Sequence, residues 1–137
     1  MLDTDILSEV LKGRNPAVLE KSAAYQAEHG VFCCSVISIV EIIAGLQQRQ
    51  RTIQLEKFED AISGLEVIPL DLEAATVAGR IQGDLDRTGQ PIGKADPLIA
   101  GIAIYHDLTL TTGNTRHFER IRQLGYPIRL EDWRGEK

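Results

Sequence analysis

The sequence predicts an α/β domain in which a five-stranded, mainly parallel sheet lies between two layers of helices. Short apolar stretches, each bounded by turn or capping residues, alternate along the chain with longer stretches of helical periodicity. Strands joined through helices need crossover connections, which make neighbouring strands parallel. Parallel sheets are usually covered by helices on both faces, which gives a three-layer α/β/α architecture.

Five short segments have the composition of strands. They are residues 1–3, 31–34, 66–70, 108–111 and 127–130. Each is rich in apolar residues and ends at a turn or cap signal. We expect these segments to form the sheet.

The helical segments lie between these strands. An apolar helical pattern begins at Ile6, and further helices are predicted at residues 17–28, 41–48, 56–62, 71–87 and 98–105. In segment 71–87 the apolar residues recur at steps of three and four and define one face: Leu72, Ala75, Ala78, Ile81 and Leu85. Segment 98–105 is apolar almost all the way round, which predicts a helix buried at the centre of the domain.

Length and composition indicate one domain covering residues 1–137, because 137 residues suffice for a single core and the chain has no repeat or linker. No apolar run approaches the ~20 residues that span a bilayer, so membrane insertion is not expected. The first residues lack the features of a secretory signal, and we expect a cytoplasmic protein. Cys33 and Cys34 are adjacent in an apolar segment, which favours reduced packing residues over a disulfide or metal site.

The net charge of −5 argues against a general nucleic-acid binder, because such proteins neutralise many phosphates with Lys and Arg. A nucleic-acid substrate would have to be bound by local basic residues. The candidates are Lys12, Arg14, Arg49, Arg51, Lys94, Arg116, Arg120 and Arg122. For any one of them, ordinary solvated surface charge is the alternative interpretation.

Four polar residues follow predicted strands or begin predicted helices, and each also has a purely structural interpretation. Asp3 fits a helix cap after the first strand. Glu41 with Ser38 matches a capping box. Asp96 before a proline fits an N-cap, and Asn114 fits a turn or cap.

The placement of these residues favours a shared site. All four should open onto the edge of the sheet where parallel strands end, which is where ligands bind in α/β folds. Converging carboxylates repel one another and acquire raised pKa values unless a cation neutralises them. Ligands that offer only oxygen select hard cations, Mg²⁺ first and Mn²⁺ second, and such ions often bind substrate phosphate.

Four segments resemble, in order, the motifs of the VapC-type toxins, which are PIN-domain ribonucleases of bacterial toxin–antitoxin pairs. The segments are residues 2–8 around Asp3, 38–46 around Glu41, 93–100 around Asp96 and 112–118 around Asn114. Each motif alone is weak, but the order and the nearly complete coverage of the chain make the resemblance specific. The first motif usually contains Asn where this chain has Asp5.

The resemblance implies a five-stranded parallel sheet, a homodimer and hydrolytic cleavage of a selected RNA, commonly tRNA or rRNA. It also implies a VapB-type antitoxin, with which the toxin would form a heterotetramer or a larger complex. Asp3, Glu41 and Asp96 would be the metal-binding catalytic acids, with Asn114 as the fourth catalytic position.

Further roles follow from the same resemblance and from side-chain chemistry. Thr4, Asp5 and Thr112 would hold or orient groups around the metal, and Arg116 and Lys94 would contact RNA phosphates. For Arg116 a structural salt bridge is the alternative. For His117 the sequence favours packing or capping over acid–base catalysis.

Two other functions are compatible with part of the sequence. Residues 1–5 resemble the opening strand and Asp-x-Asp motif of haloacid-dehalogenase-like phosphatases, in which Asp3 would be the nucleophile and Asp5 the acid or base. The later motifs of that family are out of order here, since the Thr-ended strand at 108–111 follows Lys94. The second alternative is a PIN domain that only binds a partner, although all three core acids are present.

Overall fold

The computed structural model describes residues 1–134. The predicted domain continues to residue 137, and residues 135–137 lie outside the described part of the chain. In chain order the elements are α1 (Thr4–Lys12), α2 (Pro16–His29), β1 (Phe32–Ser35), α3 (Val36–Gln48), α4 (Thr52–Ala61), a 3₁₀ turn (Ile62–Gly64), β2 (Leu65–Ile68), α5 (Leu72–Arg87), α6 (Ala95–Tyr105), β3 (Leu110–Thr111), α7 (Thr115–Gln123) and β4 (Leu130–Glu131).

The strands form two parallel pairs that the N-terminus joins. β1 pairs with β2 and β3 pairs with β4, both in parallel. Leu2 lies between the pairs, with parallel bridges to Cys34 and Thr111. Its amide donates to the Cys33 carbonyl at 2.7 Å, and the next amide, that of Asp3, donates to the Thr111 carbonyl at 2.8 Å.

The predicted α/β class with parallel strands is therefore confirmed, whereas the five-stranded sheet is not. Residues 1–3 contribute a one-residue bridge instead of a strand, because Asp3 already caps helix α1 at Thr4. The strands β3 and β4 have two residues each. The sheet is shorter than the sequence predicted, but its parallel order holds.

Side chains of the central strands alternate between two apolar clusters. Met1 and Cys33 belong to a cluster with residues of α5, α6 and α7, whereas Leu2 and Cys34 belong to one with residues of α1, α2 and α4. Helices therefore cover both faces of the strands. Both cysteines are free and buried, in keeping with the predicted packing role, and they lie on opposite faces of the strand. Burial raises the pKa of both thiols.

Helices α5 and α6 pack closely, which explains the apolar character of both. A Cβ atom on Gly101 would lie 2.7 Å from the Ala74 carbonyl oxygen and from the Ala78 Cβ, so only glycine permits this approach. The predicted face of α5 is confirmed at Ala78, Ile81 and Leu85, which are buried. The predicted face is wrong at Leu72, which is 80% exposed. Helix side chains tilt toward the N-terminus, so the side chain of the first residue points past the end of the helix.

None of the helices within residues 1–134 is both long enough and apolar enough to cross a bilayer.

Candidate active site

Three of the four predicted site residues lie at the N-terminal ends of helices. Asp3 is the N-cap of α1 and Asn114 is the N-cap position of α7. Asp96 lies in the first turn of α6, and Glu41 lies further along α3. Helix N-termini carry partial positive charge, which stabilises carboxylates and attracts phosphate groups.

Asp3 is held from two sides in a nearly dry environment. Its Oδ1 accepts from the Thr4 amide at 2.8 Å and its Oδ2 accepts from the Thr112 hydroxyl at 2.8 Å. The residue is 4% exposed. The pKa of Asp3 is raised to about 7, first by burial and then by the negative charge of Asp5, with a smaller contribution from Asp96. Asp3 and Asp96 therefore interact electrostatically.

Glu41 is connected to this centre through Thr4. The Thr4 hydroxyl lies within hydrogen-bond distance of Glu41 Oε1 and 2.8 Å from Ser38 Oγ. Because a hydroxyl carries one proton, it donates to the carboxylate and accepts from Ser38. The capping-box interpretation of Ser38 and Glu41 is wrong, since α3 begins at Val36 and Ser35 caps it by accepting from the Ser38 amide at 3.2 Å.

Asp96, Asn114 and His117 form a second contact group. His117 Nδ1 lies 2.9 Å from Asp96 Oδ2 and 2.9 Å from Asn114 Nδ2, which itself lies 3.4 Å from Asp96 Oδ2. The N-cap interpretation of Asp96 is wrong, because α6 already begins at Ala95. Asn114 occupies the predicted cap position, but its side chain makes no capping bond and contacts Asp96 instead.

His117 belongs to the site although the sequence favoured packing or capping for it. Its side chain is 36% exposed and contacts a core acid. The spacing contained the relevant signal, because residues three apart on a helix lie on the same face and His117 follows Asn114 by three.

The loop at residues 112–114 connects Asp3 with the contact group of Asp96, Asn114 and His117. The Thr112 hydroxyl donates to Asp3 and accepts from the Asn114 amide at 2.9 Å. The Gly113 amide donates to Asp5 Oδ2 at 3.0 Å. Asp5 therefore contacts the loop that holds Asp3 and carries Asn114.

Arg134 was not predicted from the sequence, yet it contacts the same region. Its Nε donates to Glu9 Oε2 at 2.6 Å, and its Nη2 lies 3.5 Å from Asp5 Oδ2. A Cβ atom on Gly113 would lie 1.9 Å from Arg134 Nη1, so a larger residue at position 113 would shift the arginine from its place over the loop. No local pattern could indicate this contact, since 125 residues separate Arg134 from Glu9.

Replacing Arg134 with Met should lower the free energy of unfolding by about 1 kcal/mol, the upper end for partly exposed ion pairs. Its partners Glu9 and Asp5 are 23% and 30% exposed, so some of their charge is shielded from water. Arg129→Met is the control, because Arg129 pairs with Asp107, which is 86% exposed. This control should lower the free energy of unfolding by less than Arg134→Met does. Urea unfolding measures both, and an equal or larger loss at Arg129 would contradict this account.

The two predicted phosphate contacts remain exposed near the site. Lys94 occupies the N-cap position of α6, and Arg116 lies in the first turn of α7. Within residues 1–134 neither forms an ion pair, so the salt-bridge alternative for Arg116 is not observed there.

The chemistry of the converging side chains fits a hydrated divalent cation. Mg²⁺ and Mn²⁺ prefer oxygen ligands. Side-chain oxygens are available from Asp3, Glu41, Asp96 and Asn114. Within the described residues 1–134, no three His, Cys, Asp or Glu side chains form a closed metal-binding cluster. Mg²⁺ does not require a closed protein cluster, because it keeps several waters and also binds substrate phosphates.

Comparison with known proteins identifies the family. A family model described as the PIN domain matches residues 1–124. The chain belongs to the PIN domain family. This PIN domain is 36% identical over 134 residues to the tRNA(fMet)-specific endonuclease VapC of Shigella flexneri, and the match covers 97% of the chain and 96% of the relative.

Solved structures show the same relationship. The PIN domain superposes on a chain of DNA-bound VapBC from Salmonella typhimurium with a TM-score of 0.77, at 34% identity and 97% and 96% coverage of the two chains. For VapBC2 of Rickettsia felis, bound to a promoter DNA fragment, the TM-score is 0.79 at 27% identity and 97% coverage of both chains. The predicted resemblance to the VapC branch of the PIN family is confirmed.

Proposed function

We propose that this PIN domain is a Mg²⁺-dependent endoribonuclease, the toxin of a VapBC-type pair, with Mn²⁺ as a possible substitute cation. The observation that carries the proposal is the linkage of the acids at one place: Asp3 through Thr112 to the Asn114 loop, Asp96 to Asn114, and Glu41 through Thr4 to the start of α1. Independent helix caps would have no reason to be connected in this way.

Asp3, Glu41 and Asp96 are the proposed cation ligands. A divalent cation held there supplies positive charge at the scissile phosphate and makes an attacking water more acidic. The protein's own contribution is orientation: Thr4 fixes Glu41, Thr112 fixes Asp3, and Asn114 with His117 fixes Asp96. The helix N-termini add partial positive charge where negative charge develops on the phosphate.

We propose tRNA as the substrate class, with rRNA as the alternative. The Shigella relative is named a tRNA(fMet)-specific endonuclease, and the match to this chain covers 96% of its length. Arg116 and Lys94, exposed beside Asn114 and Asp96, are the proposed phosphate contacts near the cleavage point.

We also propose that the protein is cytoplasmic, that its partner is a VapB-type antitoxin, and that it forms a homodimer and, with the antitoxin, a heterotetramer or larger assembly. The similar chains from Salmonella and Rickettsia come from VapBC complexes, which supports such a partner. We likewise propose that Leu2 acts with the two strand pairs as the central strand of the five-stranded sheet.

The direct test is incubation of the purified protein with total tRNA and rRNA in Mg²⁺ and in EDTA, followed by mapping of the new RNA ends. We expect discrete cleavage sites in Mg²⁺ and none in EDTA, because Mg²⁺ would be needed at the phosphate. Equal cleavage in EDTA would reject the metal-dependent mechanism.

The phosphatase alternative is disfavoured by the family match. The PIN domain model matches residues 1–124, which include both Asp3 and Asp5. Finding an aspartyl-phosphate on Asp3 after incubation with a small phosphate ester would overturn the nuclease proposal. A protein that binds RNA or a partner but cleaves nothing would favour the binding-module alternative.

A further inference from the structure

A groove leads away from the candidate active site between α1, α3 and α4. It has a volume of about 500 Å³, and one end is formed by Thr4 and Glu41. The groove is therefore continuous with the proposed catalytic residues, and its far residues include Lys12 and Arg49, two of the basic residues that the sequence offered for nucleic-acid binding.

Two helices supply matching walls. On α1 the lining residues Thr4, Ser8 and Lys12 are spaced by four. The same spacing holds for the lining residues Glu41 and Gly45 on α3 and Arg49 at its C-cap. Residues four apart lie on one helix face, so each wall runs from the site past a small residue to a cation. Eight residues correspond to about 12 Å along the helix axis.

The far end of the groove is positively charged. Lys12 and Arg49 end the two walls, Lys57 lines the groove from α4, and all three are exposed. Across residues 1–134 none of the three forms an ion pair. Glu41, at the catalytic end, is the acid among the lining residues. In a protein of net charge −5, such a local excess of cations favours a polyanion as the occupant.

Arg49 lies along the wall beside Gly45. A Cβ atom at position 45 would be 3.6 Å from Arg49 Nη1, which places the guanidinium back over α3 in the direction of Glu41. The guanidinium fork is suited to phosphate oxygens.

The floor of the groove is apolar. Ile42 and Phe58 are buried beneath it at 9% and 5% exposure, while Leu11 at the rim is 46% exposed. A floor of this kind suits the flat faces of unpaired bases, whereas a duplex would present only its backbone.

We propose that this groove binds a single-stranded segment of the RNA substrate, with Lys12, Arg49 and Lys57 contacting its backbone phosphates. The inference rests on the proposed ribonuclease function and extends it to a substrate-binding track that begins at Thr4 and Glu41. Lys94 and Arg116 would act at the cleavage point, and the groove would hold the strand beyond it.

The test compares two triple variants in a cleavage-inactive Asp96→Asn background. Lys12→Ala/Arg49→Ala/Lys57→Ala removes the groove cations, and Lys21→Ala/Arg80→Ala/Arg87→Ala removes equal charge from α2 and α5, outside the groove. The probes are fluorescein-labelled single-stranded RNA and tRNA, with binding followed by fluorescence anisotropy in Mg²⁺ at several salt concentrations.

The groove variant should show a smaller salt dependence, because each lost phosphate contact reduces the slope of log K against log[salt] by about 0.7, or about 2 for three contacts. At about 0.1 M salt this slope change corresponds to on the order of 100-fold weaker binding. The control variant should bind like its parent. In the Asp96 wild-type background, KM should rise more than kcat falls.

Several outcomes would overturn the inference. If the wild type cleaves RNA but the groove variant keeps its parent's affinity and salt slope, the groove does not bind the substrate and only the proposed function stands. Equal weakening of RNA binding in both triple variants would indicate an effect of total charge and not of the groove. Loss of antitoxin binding with unchanged RNA binding would assign the groove to a protein partner. A wild type that neither binds nor cleaves RNA would reject the proposed function together with this inference.

Discussion

Asp96→Asn is expected to reduce RNA cleavage by roughly 10³-fold, because a metal ion supplies several kcal/mol of transition-state stabilisation and the variant loses a proposed ligand charge. Asp96 Oδ2 lies 2.9 Å from His117 Nδ1 and 3.4 Å from Asn114 Nδ2, so its carboxylate is also the point where the Asn114 group is anchored. Asparagine keeps the size of the side chain and removes its charge. The fold should therefore survive.

The measurement is the initial rate of cleavage of end-labelled tRNA, alongside the circular-dichroism spectrum and the melting temperature. Asp86→Asn is the matched control, because Asp86 is exposed on α5 and accepts from Gln82 within the same helix. The control should cleave at the wild-type rate. Full activity of Asp96→Asn would place the chemistry elsewhere, and a collapsed spectrum would make the residue structural.

The location of the site could be predicted because parallel strands end at one edge of a sheet. Asp3 follows Leu2 and Asn114 follows β3, and these two segments are hydrogen-bonded neighbours. Once the strands are parallel, the residues that follow them must meet. The convergence thus depends on topology, which the alternation of strands and helices specifies.

The boundaries of α3 could not be obtained in the same way. The prediction began this helix at residue 41, whereas it begins at Val36. Residues 36–43 are rich in Val and Ile, whose stiff side chains favour strands when considered alone. The segment is nevertheless helical, because as a helix it packs Ile42 and its neighbours into the apolar cluster beside α1. The early start places Ser38 and Glu41 where Thr4 can reach them.

Contacts between distant segments were also beyond prediction. Arg134 reaches Glu9 and Asp5 from the other end of the chain, and no spacing rule connects positions that far apart.

The walls of the groove could be predicted only in part. The period-four pattern of Thr4, Ser8 and Lys12 is visible in the sequence, but only the packing of α1 beside α3 gives it a partner wall.

In the absence of divalent cations, Asp3→Asn should increase the free energy of unfolding at pH 8 by about 2–4 kcal/mol. A rise in the pKa of Asp3 from 3.8 to about 7 corresponds to at most about 4 kcal/mol of penalty for the ionised carboxylate. Asparagine removes this charge. Its amide can still accept from Thr4, and the Thr112 hydroxyl can rotate to accept from the new NH₂ group.

The sign of the pH dependence follows from linkage. Between 3.8 and about 7 the unfolded chain releases the Asp3 proton while the folded chain keeps it, so the wild type loses stability as pH rises through this window. The advantage of the variant should therefore be largest at pH 8 and shrink as the pH approaches 4. Urea unfolding at a series of pH values in EDTA measures this difference directly.

Mg²⁺ should reverse the order of the two proteins. A cation that binds only the folded state stabilises it by mass action, and the wild type should gain more than the variant because it keeps the Asp3 charge. Asp71→Asn is the matched control, since Asp71 also caps a helix but is 32% exposed and pairs with His106 at 3.0 Å. The Asp71→Asn control should be no more stable than the wild type. If Asp3→Asn is less stable than the wild type at pH 8 in EDTA, the hydrogen bonds of the carboxylate outweigh its burial, and the case for an acid that needs a cation is lost.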